Sequence, residues 1–458
     1  MRTPKIRKPK MKGLWTSIPL VGALSCGCAM IPPSPEVSRA PPERARVTDN
    51  NSRAPEEVPE LAAGSAAEST GREVEGLTLG QALELAELWR PELASFRAEI
   101  EAARGAADQA RLFPNPTGVA LVEAAPFEGR TTAEAEYILG ISQPVVLGGR
   151  LTAATRVHEA EEARLLTEAE ARRLDIRRGV QGAFATVLYL QDITETQGEH
   201  VQIAENGVEV ARIRLDAGEA VPDELLRAEL ELARARLEVR RARSLREQAV
   251  SNLVAELGDP QLRVHSLDGA LDTALEIPTL ESLSSRLSDE SLLAPAKAEV
   301  EVNRARLRLA ESQRIPDVNL DLFYRRLEVT ETNAFDVGFS LPLPIFDRNQ
   351  GRIREMRSRV TAAESQVRRT RIQLDRELRQ LQQRLEYALS ASRVLKEEVV
   401  PRAEQILEAA EARYSGGDTS LTDVLLVRRE YIGVRLSYLE SLREVLQAWA
   451  DLSPYVTH

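Results

Sequence analysis

Strict alternation of apolar and polar positions marks this chain in a few short places. Tyr137, Leu139 and Ile141 alternate, as do Val318, Leu320, Leu322 and Tyr324, then Phe335, Val337, Phe339, Leu341 and Leu343. A period of two puts each set on one face of a strand. The reading is two hairpins, at 117–145 and 317–345. Elsewhere the period is helical. Residues 150–215 read as one helix whose lower part spaces Val201, Ala204, Val208, Ala211 and Leu215 by three and four, a coiled-coil seam. About 66 residues at 1.5 Å rise extend about 100 Å. A second long helix, 352–414, carries Ile353, Met356, Val360, Ala363 and Val367, then Leu374, Leu378, Leu381, Leu385 and Ala388. Pro401 is expected to kink it.

Each long helix stops at a glycine turn and is followed by a returning helix. The first turn holds Gly218, with Pro222 opening a helix to about 257; the second holds Gly416 and Gly417, before a helix over 420–452. The strand-to-helix junctions also repeat. Gly140-Ile-Ser-Gln-Pro144, then Leu147-Gly-Gly-Arg150, is echoed by Gly338-Phe-Ser-Leu-Pro342, then Asn349-Gln-Gly-Arg352. The chain is therefore read as duplicated, with repeats at 77–257 and 291–458 and an irregular belt at 258–290 between them. A helix precedes each hairpin: one from Pro91 to about 112, stopped by Pro114 and Pro116, and one over 292–314 before Pro316.

Residues 1–28 read as an export signal. Lys5, Arg7, Lys8, Lys10 and Lys12 precede a short apolar core. Its end, Leu24-Ser-Cys26-Gly-Cys28, resembles a bacterial lipoprotein box, with Cys28 or Cys26 as the lipidation site; the alternative is an ordinary secretory signal ending in small residues. Residues 29–76, rich in Pro, Glu and Ser, read as a flexible tether.

Composition narrows the function. The 458 residues carry a net charge of −11 with no basic face to offset it, which argues against a nucleic-acid partner. Only 4% of residues are aromatic, low for a compact enzyme. Both cysteines lie in the leader, and His158, His200, His265 and His458 are scattered, so no metal or cofactor cluster and no catalytic constellation is visible. Gly148-Gly149 lacks the context of a phosphate loop. No apolar run is long enough for a transmembrane helix, which leaves barrel strands open.

Four amphipathic strands cannot close a barrel, because about eight is the practical minimum. An open edge in lipid would strand backbone groups, so several chains must pool their strands. With Leu77-Thr-Leu-Gly-Gln-Ala-Leu, Pro91-Glu-Leu, the two junctions and the two glycine turns, the chain from 77 to 452 resembles the TolC-like outer membrane factors. The run Leu341-Pro-Leu-Pro-Ile-Phe-Asp-Arg-Asn-Gln-Gly is most similar to their heavy-metal branch.

The resemblance implies a mainly α fold with a transmembrane β-barrel: a homotrimer with a 12-stranded barrel in outer-membrane lipid and a periplasmic α-helical tunnel. It implies a passive exit duct, not an enzyme, working with a periplasmic adapter and an inner-membrane pump. Drug or organic-solute export and type I secretion are the alternative cargoes. A periplasmic adapter or a structural coiled coil is the alternative class, which the duplication and paired strands disfavour.

The resemblance also places Asp423, and with it Glu224, at a periplasmic gate; the competing reading is that both carboxylates favour a helix N-terminus. Crowding in a trimer is expected to raise some of their pKa values. Arg428 and Arg429, one turn further on, are expected to latch these acids. Arg368, Arg369, Arg371 and Arg376 read as a solvated face or as interhelical partners.

Overall fold

The structure, a computed structural model, describes residues 73–123, 135–272, 292–328 and 330–456. The signal, both cysteines and almost all of the tether lie outside these residues. Order reaches a little earlier than expected, since β1 (Glu73–Val74) pairs in parallel with β4 (Arg263–Val264) in the belt, and Leu77 bridges Leu267. That partner is some 190 residues away, and two-residue strands leave no periodic signal. The helices are α1 (Leu79–Trp89), α2 (Pro91–Ala110), α3 (Arg150–Asp216), α4 (Pro222–Leu257), α5 (Ala294–Ser312), α6 (Gln350–Val394), α7 (Val400–Ser415) and α8 (Leu421–Leu452).

The strands β2 (Thr117–Glu123), β3 (Glu136–Val145), β5 (Val318–Leu327) and β6 (Thr332–Ser340) form one antiparallel sheet in the order β2-β3-β5-β6. The two repeats thus meet at β3 and β5, where Leu139 faces Tyr324 and Ile141 faces Leu322. Directly opposed residues share a face. One face therefore carries Leu139, Tyr324 and Phe335 in one row and Ile141, Leu322 and Val337 in the next. Phe335 is 75% exposed, Val337 82% and Phe339 72%, which a water-facing sheet would not tolerate as a contiguous patch. The opposite face carries the charged groups, with Ile138 and Phe323 among them: Arg325 donates to Asp336 (2.9 Å) and Glu136 (2.6 Å), and the Ser142 hydroxyl to Asp321 (2.5 Å). Apolar on one face and polar on the other is the pattern of a barrel strand between lipid and lumen. Among the described residues, the outer edges of β2 and β6 are unpaired.

Below the sheet, the helices lie side by side. α3 packs on α2, α4, α5 and α8, and α6 packs on α5 and α8. The main core gathers Leu77, Ile176, Val180, Leu253 and Leu257 around the middle of α3, and a second joins Leu378 and Leu385 to Val445 and Leu452. Among the described residues no helix is long and apolar enough to cross a membrane.

Two local expectations shift. The helix after the second hairpin is broken by a π-helical turn, Leu395–Val399, immediately before Pro401. Proline has no N–H to donate and its ring crowds the carbonyl four residues back, so the chain widens its winding to keep going. Lys396 in that turn forms an ion pair with Asp272 of the belt.

The duplicated junction is also registered differently from the sequence echo. The helix caps in left-handed conformation are Gly149 (φ 67°) and Asn349 (φ 57°), so Gly149 corresponds to Asn349 rather than to Gly351. Asparagine tolerates this conformation better than other side-chain-bearing residues. Here its Nδ2 also donates to the Ala310 carbonyl at 2.6 Å, tying the start of α6 to α5. Asn349→Ala is expected to cost about 1–2 kcal/mol, seen as a lower midpoint of thermal unfolding, with Asn349→Gly losing less because glycine keeps the backbone angle.

Candidate gate at the helix-hairpin tips

Both tips close in the same way. Gly218 (φ 76°) and Gly417 (φ 83°) take the left-handed position just past their helices. The next residue reaches back five: Glu219 N–H to the Arg214 carbonyl and Asp418 N–H to the Arg413 carbonyl, each 2.8 Å. Gly218 N–H bonds Leu215 and Gly417 N–H bonds Tyr414. These are Schellman motifs, which satisfy the last carbonyls of α3 and α7. Gly416 lies at an ordinary helical angle (φ −80°), so only Gly417 needs to be glycine for conformation.

Beyond the turns, Pro222 is the first residue of α4, its fixed φ preset for that position. Glu224 and Asp423 occupy the third position of α4 and α8. Their surroundings differ. Asp423 closes a capping box, accepting from the Ser420 hydroxyl (2.8 Å) and the Thr419 hydroxyl (3.1 Å), while its own N–H donates to Ser420 Oγ (3.3 Å). The Ser420 hydroxyl, then that of Thr419, holds the carboxyl below the usual aspartate range. The expected raising by crowding belongs to the trimer; within one chain the hydroxyl donors act the other way. What this carboxylate adds to the cap is present above its unfolded pKa and is lost as pH falls through the depressed one. The α4 cap is Val221, without a hydroxyl, and Glu224 has one carboxylate oxygen buried without a hydrogen-bond partner.

The tips are tied across hairpins by Arg227, which holds Asp223 (2.7 Å) and donates to Thr422 Oγ1 on α8 (3.0 Å). The Arg214 guanidinium lies 4.8 Å over the Tyr414 ring, a second tie between hairpins. Val208, Ala211, Ala228, Leu421, Val424 and Leu425 form the apolar core between them. The expected latch is not where the sequence put it. Arg428 pairs with Glu411 on α7 (2.8 Å) and Arg429 with Glu231 on α4 (2.5 Å), and neither bonds Asp423 or Glu224. Both point back along the hairpins, toward acids that sequence reasoning passed over. Glu231 and Arg429 stand at nearly equivalent positions of the two returning helices, a duplication signal that went unused. Among the described residues, no group of three or more His, Cys, Asp or Glu is placed to hold a metal ion.

A duplicated helical hairpin, with a four-stranded sheet that is apolar outside and polar inside, defines a subunit of a membrane duct. The chain belongs to the outer membrane efflux protein family, whose model matches residues 82–259 and 283–456. It is 32% identical over 380 residues to the cobalt-zinc-cadmium resistance protein CzcC of Cupriavidus metallidurans, covering 82% of this chain and 89% of that protein. It is 28% identical over 306 residues to the nickel and cobalt resistance protein CnrC of the same organism, covering 64% and 69%. Its fold resembles that of the outer-membrane channel OprN (TM-score 0.69, 18% identity, 82% and 89% coverage). It also resembles the outer membrane protein VceC of Vibrio cholerae (TM-score 0.66, 21% identity, 82% and 95% coverage). The protein is thus an outer-membrane efflux channel component with a periplasmic helical tunnel, in a family of ducts rather than enzymes.

Proposed function

We propose that this chain is the exit duct for heavy-metal cations. Three copies would pool their sheets into one barrel, and the tips would meet a periplasmic adapter fed by an inner-membrane pump. The observation that carries this reading is the open sheet. Its apolar face suits lipid, yet its two edges leave backbone donors and acceptors that lipid cannot satisfy. Pairing β6 of one copy with β2 of the next satisfies both edges at once. The likeness to CzcC and CnrC supports metal cargo. Deleting the gene is expected to sensitise cells to cobalt, zinc or cadmium, with resistance restored by the parent chain. Sensitivity confined to organic compounds would replace the metal reading with a drug reading. Detergent-solubilised protein is expected to scatter light as a trimer, and a stable monomer would overturn the shared barrel.

The gate belongs to the same reading. Three copies of Asp423, with Glu224 beside them, would ring the narrow end of the tunnel, favouring cations over anions. Within each chain the Ser420 and Thr419 hydroxyls favour the charged form of Asp423. The turn residues Gly218, Pro222 and Gly417, with Gly416 beside them, would hold these acids at the tip.

A further inference from the structure

Above the tip, a buried carboxylate and a buried histidine meet a half-exposed arginine where three helices come together. Glu231 on α4 is 5% exposed. Arg429 on α8 clamps one side of its carboxylate, with Nη2 at 2.5 Å and Nε at 3.1–3.2 Å. On the other side His200 of α3, itself 9% exposed, brings Nε2 within 3.9 Å of Oε1. This is one compact joint linking the first hairpin to the second. We propose that His200, Glu231 and Arg429 form an acid-released joint between the two hairpins, holding the tip closed at neutral pH and loosening it as the periplasm acidifies.

The charges around His200 decide the sign. From α8 come Arg428, itself paired with Glu411 of α7, and Arg429. From α4 come Glu231 and, 3.9 Å from that carboxylate, Arg234. On its own helix, the neighbouring Glu199 is taken up by Arg435 of α8 at 2.9 Å, and Gln197 keeps a buried oxygen without a partner. Burial is the largest influence on the imidazole and lowers its pKa. Glu231 works the other way, while Arg428 and Arg429 add to the lowering.

Glu231 is itself burdened by burial, yet the Arg429 hydrogen bond and charge bring its pKa below the ordinary glutamate value. The carboxylate therefore stays ionised while the histidine titrates. A histidine whose pKa is depressed in the closed joint contributes stability that is whole above about pH 6.5. That stability drains as pH falls from there toward the depressed value, because the opened, hydrated imidazole takes the proton more readily. Protonation in place would put a third cation beside Arg428 and Arg429, whose acids Glu411 and Glu231 are already engaged.

Hydrogen exchange of the full chain in detergent tests this directly. After correction for intrinsic rates, peptides around 197–211 and 425–435 are expected to open more often in acid, by up to about tenfold per pH unit below about 6.5. His200→Gln, which cannot take the proton, is expected to flatten that dependence, and His200→Asn to do the same. His265→Gln should leave it intact. Glu231→Gln, which removes the carboxylate that Arg429 clamps across the two hairpins, is expected to open the joint at both pH values. A parent without pH dependence in these peptides, or His200 variants that keep the parent's dependence, overturns the proposal. The inference rests on the channel reading only for its consequence, easier opening of the duct in acid. Exchange reads the joint whether or not the protein conducts, so failure of either is told apart from the other.

Discussion

Gly140→Ala is expected to abolish assembly of the barrel. Gly140 lies in β3 opposite Phe323 of β5, at the seam where the two repeats pair. A Cβ built there would sit 2.2 Å from the Leu322 carbonyl oxygen and 2.8 Å from Phe323 Cα. Those are backbone atoms of the neighbouring strand, so no side-chain rotation relieves the clash. The strands must separate, and in lipid each lost ladder bond leaves groups that nothing else satisfies. Light scattering of detergent-extracted Gly140→Ala should show the trimer lost, with aggregate or degraded monomer in its place. Gly118→Ala, where a new Cβ meets nothing within 4 Å, should assemble like the parent and serves as the control. A Gly140→Ala protein that forms the parent's trimer in the parent's yield would mean that β3 and β5 do not pair in the assembled barrel.

Removing the acids at the tip should raise single-channel conductance in planar bilayers and weaken cation selectivity, with the trimer intact. The capping box complicates Asp423→Ala, because that change removes both a charge and a helix cap. Caps of this kind are worth about 0.5–2 kcal/mol, enough to loosen a tip without any role in the pore. Ser420→Ala separates the two, since it breaks the reciprocal cap and leaves the carboxylate in place. If Asp423 gates, Asp423→Ala changes selectivity and Ser420→Ala does not. If it only caps, the two variants behave alike. Glu224→Ala carries no such ambiguity, because Val221 offers no hydroxyl to complete a box. It should therefore report charge more cleanly, and the double variant should exceed either single one. Parent-like conduction in all of them would move the constriction to other residues.

Long helices, hairpins and the duplication were legible in the sequence because each is written locally. Three-and-four spacing through Val201–Leu215, alternation through Phe335–Phe339, and glycine at 218 and 417 depend only on neighbours along the chain. The open-ended count of four strands was legible for the same reason, and so was the need for more than one copy. The chemistry of the tips was not. Asp423 looked free to line a pore, yet its partners Ser420 and Thr419 were in plain view three and four residues back. The capping-box spacing was there to be read.

Other features were beyond any local pattern. The clamp of Arg429 on Glu231, the approach of His200 to the same carboxylate, and the pairing of β1 with β4 join residues well apart in the chain, from about 30 to about 200 positions. Periodicity tells which face of a helix is apolar, but not which charged residue on another helix that face will meet. The π-helical turn before Pro401 falls between these cases. The proline announced a disturbance, but only the packed helix chose to absorb it by wider winding. An acid and a base in a sequence are merely two charges until packing removes the water between them. The burial of Glu231 and His200, decided by how α3, α4 and α8 come together, is what gives Arg429 a joint to clamp, while Asp423 is left at the exposed tip.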